Sequence, residues 1–246
     1  NNHTLLWSRN NEVVTAINQT HQNTTYLPGV ALPKSLEATS QLSKIISADV
    51  LLLVVPAQTL RANCLALKDS GLSATAALVI CCKGIEEESY MLMHEVVADI
   101  LPDNPVAILS GPNFAGEIAG SLPAAATLAC ADEVLGMELL ELIGTKKFRP
   151  YYSSDIIGVG VGGAVKNVLA IACGICVGNQ LGENAMAALV TRGIAEISRL
   201  CVALGGKPET MMGLSGIGDI MLTCSSQQSR NMSLGLEIGK GKSFEQ

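Results

Sequence analysis

"IIGVGVGGAVKN" spans Ile156–Asn167, and its reading decides how the whole chain is organised. Gly158, Gly160 and Gly163 match the letters of the dinucleotide motif G-x-G-x-x-G. That motif works as strand, glycine turn, helix, second strand, with an acid at the second strand's end. Here the stretch arrives late, after a series of apolar strand-like runs. Glu183, 20 residues past Gly163, follows the loop "GNQLG" and opens a helix instead of closing a strand. The stretch therefore reads as part of a buried helix whose small residues allow close packing. Lys166, the only charge between Asp155 and Glu183, becomes its chemically significant residue.

Upstream of it lie six short apolar runs: "TLLWS" (Thr4–Ser8), "DVLLLVVP" (Asp49–Pro56), "AALVICCKG" (Ala76–Gly84), "PVAILSGP" (Pro105–Pro112), "AAATLAC" (Ala124–Cys130) and "KFRPYYS" (Lys147–Ser153). Helical patterns separate several of them, at Asn10–Asn18, Gln58–Lys68 and Ser89–Leu101. Continuous apolar strands with helical crossovers predict a largely parallel sheet covered on both faces. After Ser153 no convincing strand follows. Helices are expected at Gly163–Gly178, Glu183–Leu204, Ile220–Ser225 and Met232–Gly239. Arg192, Glu196 and Arg199 read as a solvated charged line on the second of these. The boundary is placed after Ser153, giving units 1–153 and 154–246.

Composition limits the function classes. The 246 residues are 48% hydrophobic and 15% charged, with a net charge of −6 and no long basic run. That argues against nucleic acid as a partner. Of the eight cysteines, Cys81 and Cys82 adjoin in an apolar run and Cys130, Cys173, Cys176 and Cys201 sit among Ala, Leu, Ile and Val; they read as small buried hydrophobes in a reducing, cytoplasmic compartment. Cys173-x-x-Cys176 lacks a second pair, so no metal is expected. The sequons at Asn2, Asn18, Asn23 and Asn231 carry no weight without a secretory signal. Ile156–Gly182 is apolar enough for a membrane span, but it holds seven glycines and an interior lysine. Such a lysine costs roughly 2.5–3.5 kcal/mol at a bilayer's centre, so a buried helix is expected and no stable membrane insertion.

Candidate chemistry gathers at three places. Lys83 follows "LVICC" at the carboxyl end of a strand, where open α/β sheets bind ligands, with Gly84 allowing close approach. "SGPNFAGEIA" (Ser110–Ala119) ends another strand. Gly111 and Pro112 shape a turn, and Asn113 is expected to cap the next helix with Glu117 in its first turn. "LSGIGDIMLTCSSQQSRN" (Leu214–Asn231) places Asp219 and Thr223 on one helical face. There Ser229, Arg230 and Asn231 form a phosphate receptor, and Asp219 can orient Lys166 or a substrate hydroxyl. A doubly wound sheet also needs a glycine-rich loop after its first strand. "TLLWS" instead ends in Arg9, as a second strand does when an arginine accommodates a 2′-phosphate. The chain thus reads as starting after the phosphate-binding unit.

In order, "KG" after an apolar strand, "SGPNFAGEIA", "GGAVKNVLAIACGI", "NAMAALVTRGIAEISRL", "GIGDIMLTC" and "SRN" closely resemble the bacterial NAD(P)-dependent glycerol-3-phosphate dehydrogenases. The resemblance covers essentially the whole chain and is most specific from Gly162 to Asn231. It implies a Rossmann-like doubly wound α/β domain, lacking its N-terminal strand and glycine-rich loop, followed by an all-helical substrate domain that is C-terminally truncated. It implies reversible hydride transfer between NAD or NADP and dihydroxyacetone phosphate, giving sn-glycerol 3-phosphate for glycerophospholipid synthesis. Lys166 would be the general acid/base. Lys83, Gly111, Asn113, Lys166, Asp219, Thr223, Ser229, Arg230 and Asn231 would bind substrate, with Asn167 in support. Arg9, Lys83, Ala115 and Arg230 would touch the cofactor. Burial and the charge of Lys83 should lower the pKa of Lys166. Asn113 stands where the family usually has Ser or Thr, and Ala57 where Ser is common. Without the glycine-rich loop, the chain by itself is expected to be a weak or inactive enzyme. Two other readings stay open: a related dehydrogenase acting on a different hydroxy acid, and a non-catalytic remnant that binds no dinucleotide. A homodimer is compatible with the sequence.

Overall fold

The computed structural model describes residues 3–243, so the sequon at Asn2 lies outside the described residues. In chain order the elements are β1 (Leu5–Trp7), α1 (Asn11–Thr20), β2 (Gln22–Asn23), β3 (Leu27–Ala31), β4 (Glu37–Thr39), β5 (Val50–Leu53), α2 (Leu60–Asp69), β6 (Ala77–Ile80), α3 (Met93–Ile100), β7 (Val106–Ser110), α4 (Ala115–Ala119), β8 (Ala124–Cys130), α5 (Glu133–Ile143) and β9 (Phe148–Ser153). Then come α6 (Ile156–Gly178), α7 (Glu183–Ala203), α8 (Asp219–Ser225) and α9 (Arg230–Gly239). The α/β half followed by a helical half is the expected architecture.

The main sheet has five strands in the order β5-β6-β7-β8-β9. All pairs are parallel except β7–β8. A parallel crossover needs a dozen or more residues and usually a full helix. Between Ser110 and Ala124 only the five-residue α4 is available, so the chain doubles back. The expected "TLLWS" strand exists as β1, but among the described residues it pairs only with β4, a strand the sequence pattern did not reveal. The β2–β3 hairpin was likewise hidden, because Gln, Asn, Pro and Gly break any apolar alternation. The sheet is covered on both faces. Leu78, Ile80, Val96 and Val97 pack on one side, and Val79, Leu128, Cys130 and Leu139 on the other. β1, α1 and β4 enclose a small cluster of their own around Val13, Ile17 and Ala38. The Asn18 side chain ties it together, donating to the Ala38 carbonyl and accepting from the Ala38 amide.

α6 joins the two halves. It begins at Ile156, seven residues before the expected start at Gly163, so the glycine stretch is helix from its first residue. Asp155 caps it. Its buried carboxylate accepts from Gly158 N at 2.9 Å, from Lys207 N at 2.8 Å and from the Thr210 hydroxyl at 2.5 Å. Val159 packs into the sheet core, while Val161, Ala170 and Cys173 pack with Ile197, Ile220 and Met232 of the helical half. By length and composition α6 passes for a membrane span, but 56% of its most apolar window is buried inside the protein. The charged line of α7 is solvated as expected, with Glu196 pairing to Arg192 and Arg199.

The contact of α6 with α9 is backbone against backbone. A Cβ on Gly174 would strike Met232 O and come within 2.6 Å of Leu236 N. One on Gly235 would strike Ile171 O and lie 2.8 Å from its carbonyl carbon. Gly235→Ala should therefore lower Tm by several degrees, about 1–3 kcal/mol of overpacking outweighing the better helix propensity of Ala. Gly116→Ala in α4, where a Cβ meets nothing within 4 Å, is the control and should be neutral or stabilising. Thermal unfolding decides, and an unchanged Tm for Gly235→Ala counts against the close contact.

Candidate active site

Three segments distant in sequence meet beside α6. The first is the loop after β6, which carries Lys83. Gly84 follows with φ 157°, and a Cβ there would lie 2.9 Å from Ala57 Cβ, so glycine serves the expected close approach. Buried Glu86 pins this loop by accepting from Arg61 Nε at 2.9 Å, and Arg61 also donates to Asp99 at 2.6 Å. The second segment is the turn Leu214–Gly218, which leads into α8. Gly216 leaves helical geometry there, at φ −100° and ψ −106°, and aims Asp219 inward. The third is α6 itself, with Lys166 on the face toward α8.

Asp219 receives both lysines. Lys166 Nζ donates to Oδ1 at 2.5 Å and Lys83 Nζ to Oδ2 at 2.5 Å. The Asp219 side chain is 1% exposed, that of Lys166 12% and that of Lys83 22%. Lys166 also donates to the Thr223 hydroxyl at 3.1 Å, and that hydroxyl donates to the Asp219 carbonyl at 2.6 Å. Lys83 donates a second bond to the Gly111 carbonyl at 3.2 Å. Two ammoniums thus share one carboxylate in a cleft between the sheet and the helices. Burial lowers the pKa of Lys166, and the charge of Lys83 lowers it further, while Asp219 opposes both. This is the direction expected from the sequence.

The other candidates stand as follows. Ser229 is buried and caps α9 by accepting from Met232 N at 3.3 Å. Arg230 is exposed at the first residue of α9, and Asn231 and Asn167 are half-buried. Ala115 is exposed at the start of α4. Arg9 is exposed just after β1. The structure thus brings together Lys83, Gly111, Lys166, Asp219 and Thr223 by direct contact, and joins none of Arg9, Ala115 or Arg230 to that cluster. One expectation needs correcting. Asn113 does not cap α4: the capping position is Phe114, with no side-chain bond, and Asn113 Oδ1 is buried without a partner among the described residues. The geometric reason is that α4 starts two residues after Asn113, so its side chain turns back into the protein.

Sequence reasoning missed two features. Asp219 is expected to orient Lys166 or a substrate hydroxyl, and the structure shows that it also holds Lys83; nothing in residue spacing signals a contact across so much intervening chain. Ser110 carries no expected role, but its hydroxyl is buried, has no partner among the described residues and lines the same crevice as Lys83. All eight cysteines are free thiols. Cys82, beside Lys83, has its thiol pushed up to about 11 by burial, which keeps it protonated and unreactive. Among the described residues no cluster of His, Cys, Asp or Glu could hold a metal ion.

A cationic pair on a buried carboxylate suits an anionic carbonyl or alcohol substrate. Exposed Arg9 after β1 suits a dinucleotide's ribose or 2′-phosphate.

The family model described as the N-terminus of NAD-dependent glycerol-3-phosphate dehydrogenase matches residues 1–135, and the C-terminus model matches residues 155–246. A glycerol-3-phosphate dehydrogenase [NAD(P)+] of Caulobacter vibrioides is 54% identical over 241 residues, covering 98% of this chain and 72% of the relative. One from Corynebacterium diphtheriae is 48% identical over 244 residues, covering 98% and 73%. Among solved structures, the glycerol-3-phosphate dehydrogenase of Coxiella burnetii superposes with a TM-score of 0.93 at 39% identity, covering 98% of this chain and 74% of that one.

Proposed function

Because the chain belongs to the NAD-dependent glycerol-3-phosphate dehydrogenase family, we propose that it interconverts dihydroxyacetone phosphate and sn-glycerol 3-phosphate with NAD or NADP. The observation that carries this reading is the buried Asp219 shared by Lys166 and Lys83 at 2.5 Å each. When bound, the nicotinamide ring supplies the hydride that reduces the ketone carbon, or accepts it in the reverse direction. Lys166 supplies the proton. As the carbonyl oxygen gains negative charge, the ammonium stabilises it and then protonates it. A pKa lowered by burial and by Lys83 suits Lys166 to giving and retaking that proton. Asp219 orients the ammonium, and Thr223 fixes its remaining direction. Lys83, held by Gly111 O and Asp219, lies where it can touch substrate and cofactor together.

Arg230, Ser229, Asn231 and the α9 amino terminus form the phosphate receptor, a guanidinium with neutral donors at a helix start. Gly111 and Asn113 line the substrate's other side. Arg9 and Ala115 hold the dinucleotide with Lys83 and Arg230. The cofactor unit is residues 1–153 and the substrate unit is residues 154–246. The reversible reaction would feed glycerophospholipid synthesis in the cytoplasm, and the enzyme is compatible with a homodimer.

The test is NADPH oxidation by dihydroxyacetone phosphate, on this chain and on a version extended at its N-terminus. Turnover by the extended version supports the reading, and its absence there rejects it. Within that assay, Arg230→Ala should raise KM for dihydroxyacetone phosphate at least tenfold, with a smaller effect on kcat. An unchanged KM rejects the phosphate assignment and favours a dehydrogenase of a different hydroxy acid.

A further inference from the structure

Lys83 and Asp219 belong to opposite sides of the cleft, and the stem of Lys83 has to pass α6 to reach the carboxylate. It passes at Gly163. A Cβ built on Gly163 would stand 3.3 Å from Lys83 Cγ, 3.5 Å from Lys83 Cδ and 3.2 Å from Ser110 Oγ. The Lys83 stem cannot easily give way, because it is tied at both ends. Its backbone lies in the loop after β6 that Glu86 pins, and its Nζ bonds Asp219 and Gly111 O. Ser110 lies on the other side of the passage, 2% exposed, with its hydroxyl unpartnered among the described residues. Lys83, Ser110, Gly160 and Gly163 together line one narrow crevice.

We propose that Gly163 and Ser110 form the gap that guides Lys83 onto Asp219, and that both are positioning residues of the proton-transfer site. This inference rests on the dehydrogenase reading for its kinetic consequences, though not for its geometry. Glycine in the middle of a 23-residue helix is otherwise a liability, since alanine holds helical geometry better. A methyl at 163 would push the Lys83 stem toward the crevice and draw its Nζ off Asp219. The positive neighbour of Lys166 would then recede, and the pKa of Lys166 would rise. The other groups on elements packed against α6 do not offset this. Asp219 and Cys224 on α8 stay in place, His94 on α3 abuts Gly160, and Glu183, Arg192, Glu196 and Arg199 on α7 are exposed. On α9, Arg230 is exposed and Glu237 pairs with Lys240.

The experiment compares the wild type, Gly163→Ala, Lys83→Met, the Gly163→Ala/Lys83→Met double variant and Gly163→Ala/Ser110→Ala, all in the N-terminally extended chain. Gly163→Ala should keep or raise Tm, yet lower kcat/KM about tenfold or more, since misplacement by under 1 Å is costly at a reacting centre. The alkaline limb of ketone reduction should move to higher pH, as in Lys83→Met. In the Lys83→Met background, Gly163→Ala should change kcat/KM by less than about twofold, because the residue it steers is gone. Ser110→Ala should restore part of the loss by relieving the 3.2 Å contact. Additive losses in the double variant, or a lower Tm with an unmoved pH profile, overturn the proposal. A wild type without turnover rejects the dehydrogenase reading alone. Titration of the Lys166 Cε resonance by NMR then decides the gap without any substrate: a raised pKa in Gly163→Ala supports it, and an unchanged one overturns it.

Discussion

Lys166→Ala is expected to lower kcat for reduction of dihydroxyacetone phosphate by about 10²–10⁴-fold, the range in which a positioned general acid contributes. The fold should survive, because Asp219 keeps Lys83 as its partner at 2.5 Å and is not left as an unpaired buried charge. NADPH affinity should stay close to that of the wild type, since among the described residues Lys166 bonds only Asp219 and Thr223. Lys166→Arg separates charge from proton transfer. Arginine preserves the positive charge but does not deprotonate in the working range, so it can neither give the proton in reduction nor take it in oxidation, and both directions should fall together. In the wild type the two directions respond oppositely to pH. Reduction needs the ammonium and fades as pH rises through the lowered pKa of Lys166; oxidation needs the amine and grows over the same interval. Both limbs therefore lie below 10.5, the ordinary lysine value. Steady-state rates in each direction from neutral to alkaline pH provide the check. Residual activity within about tenfold of the wild type for Lys166→Ala would remove Lys166 from the mechanism.

Much of this arrangement was readable from residue types. The strands β5, β6 and β7 are unbroken apolar runs, and such runs have few alternatives to a sheet buried on both faces. Lys166 stood out because a lone charge inside an otherwise apolar helix needs a partner or a purpose. Its sequence did not reveal the partner's second tie. A carboxylate that serves two lysines from two different segments depends on the turn at Gly216, whose departure from helical angles leaves no mark in composition. The glycines show the same limit. Their smallness suggested tight packing, but the letters do not say that Gly163 faces Lys83 while Gly174 faces α9. The strands β1 and β4 illustrate the reverse problem. β4 is three residues long, and "EAT" carries no period that marks it, so its pairing emerges only from the fold.

Asp219→Asn is expected to be as severe as loss of Lys166, by a different route. Among the described residues the carboxylate is the only acid paired with these two ammoniums, in a cleft where its side chain is 1% exposed. An amide of the same shape can accept from one lysine, but it presents N–H donors to the other. Removing one member of a buried ion pair costs about 3–5 kcal/mol because a charge remains without compensation. The protein can escape part of that cost by releasing the Lys166 proton. Asp219 is the group that raises the Lys166 pKa against burial and against Lys83, so its loss drives that pKa lower still. The sign then follows. A lysine whose folded pKa lies below 10.5 binds fewer protons in the folded state than in the unfolded state between those two values, so stability rises with pH across that window. The variant's window is wider than the wild type's, and its stability deficit should shrink as pH climbs toward 10.5. Its catalytic deficit should behave oppositely for reduction, since an amine cannot protonate the nascent alkoxide. We expect kcat for reduction at neutral pH to fall by about 10²-fold or more, with oxidation less affected. Denaturant unfolding of the wild type and Asp219→Asn at neutral and alkaline pH, alongside rates in both directions, tests the chain of reasoning. A variant as stable as the wild type at neutral pH, or a deficit that grows on raising the pH, would show that the two lysines do not depend on Asp219 for their charge.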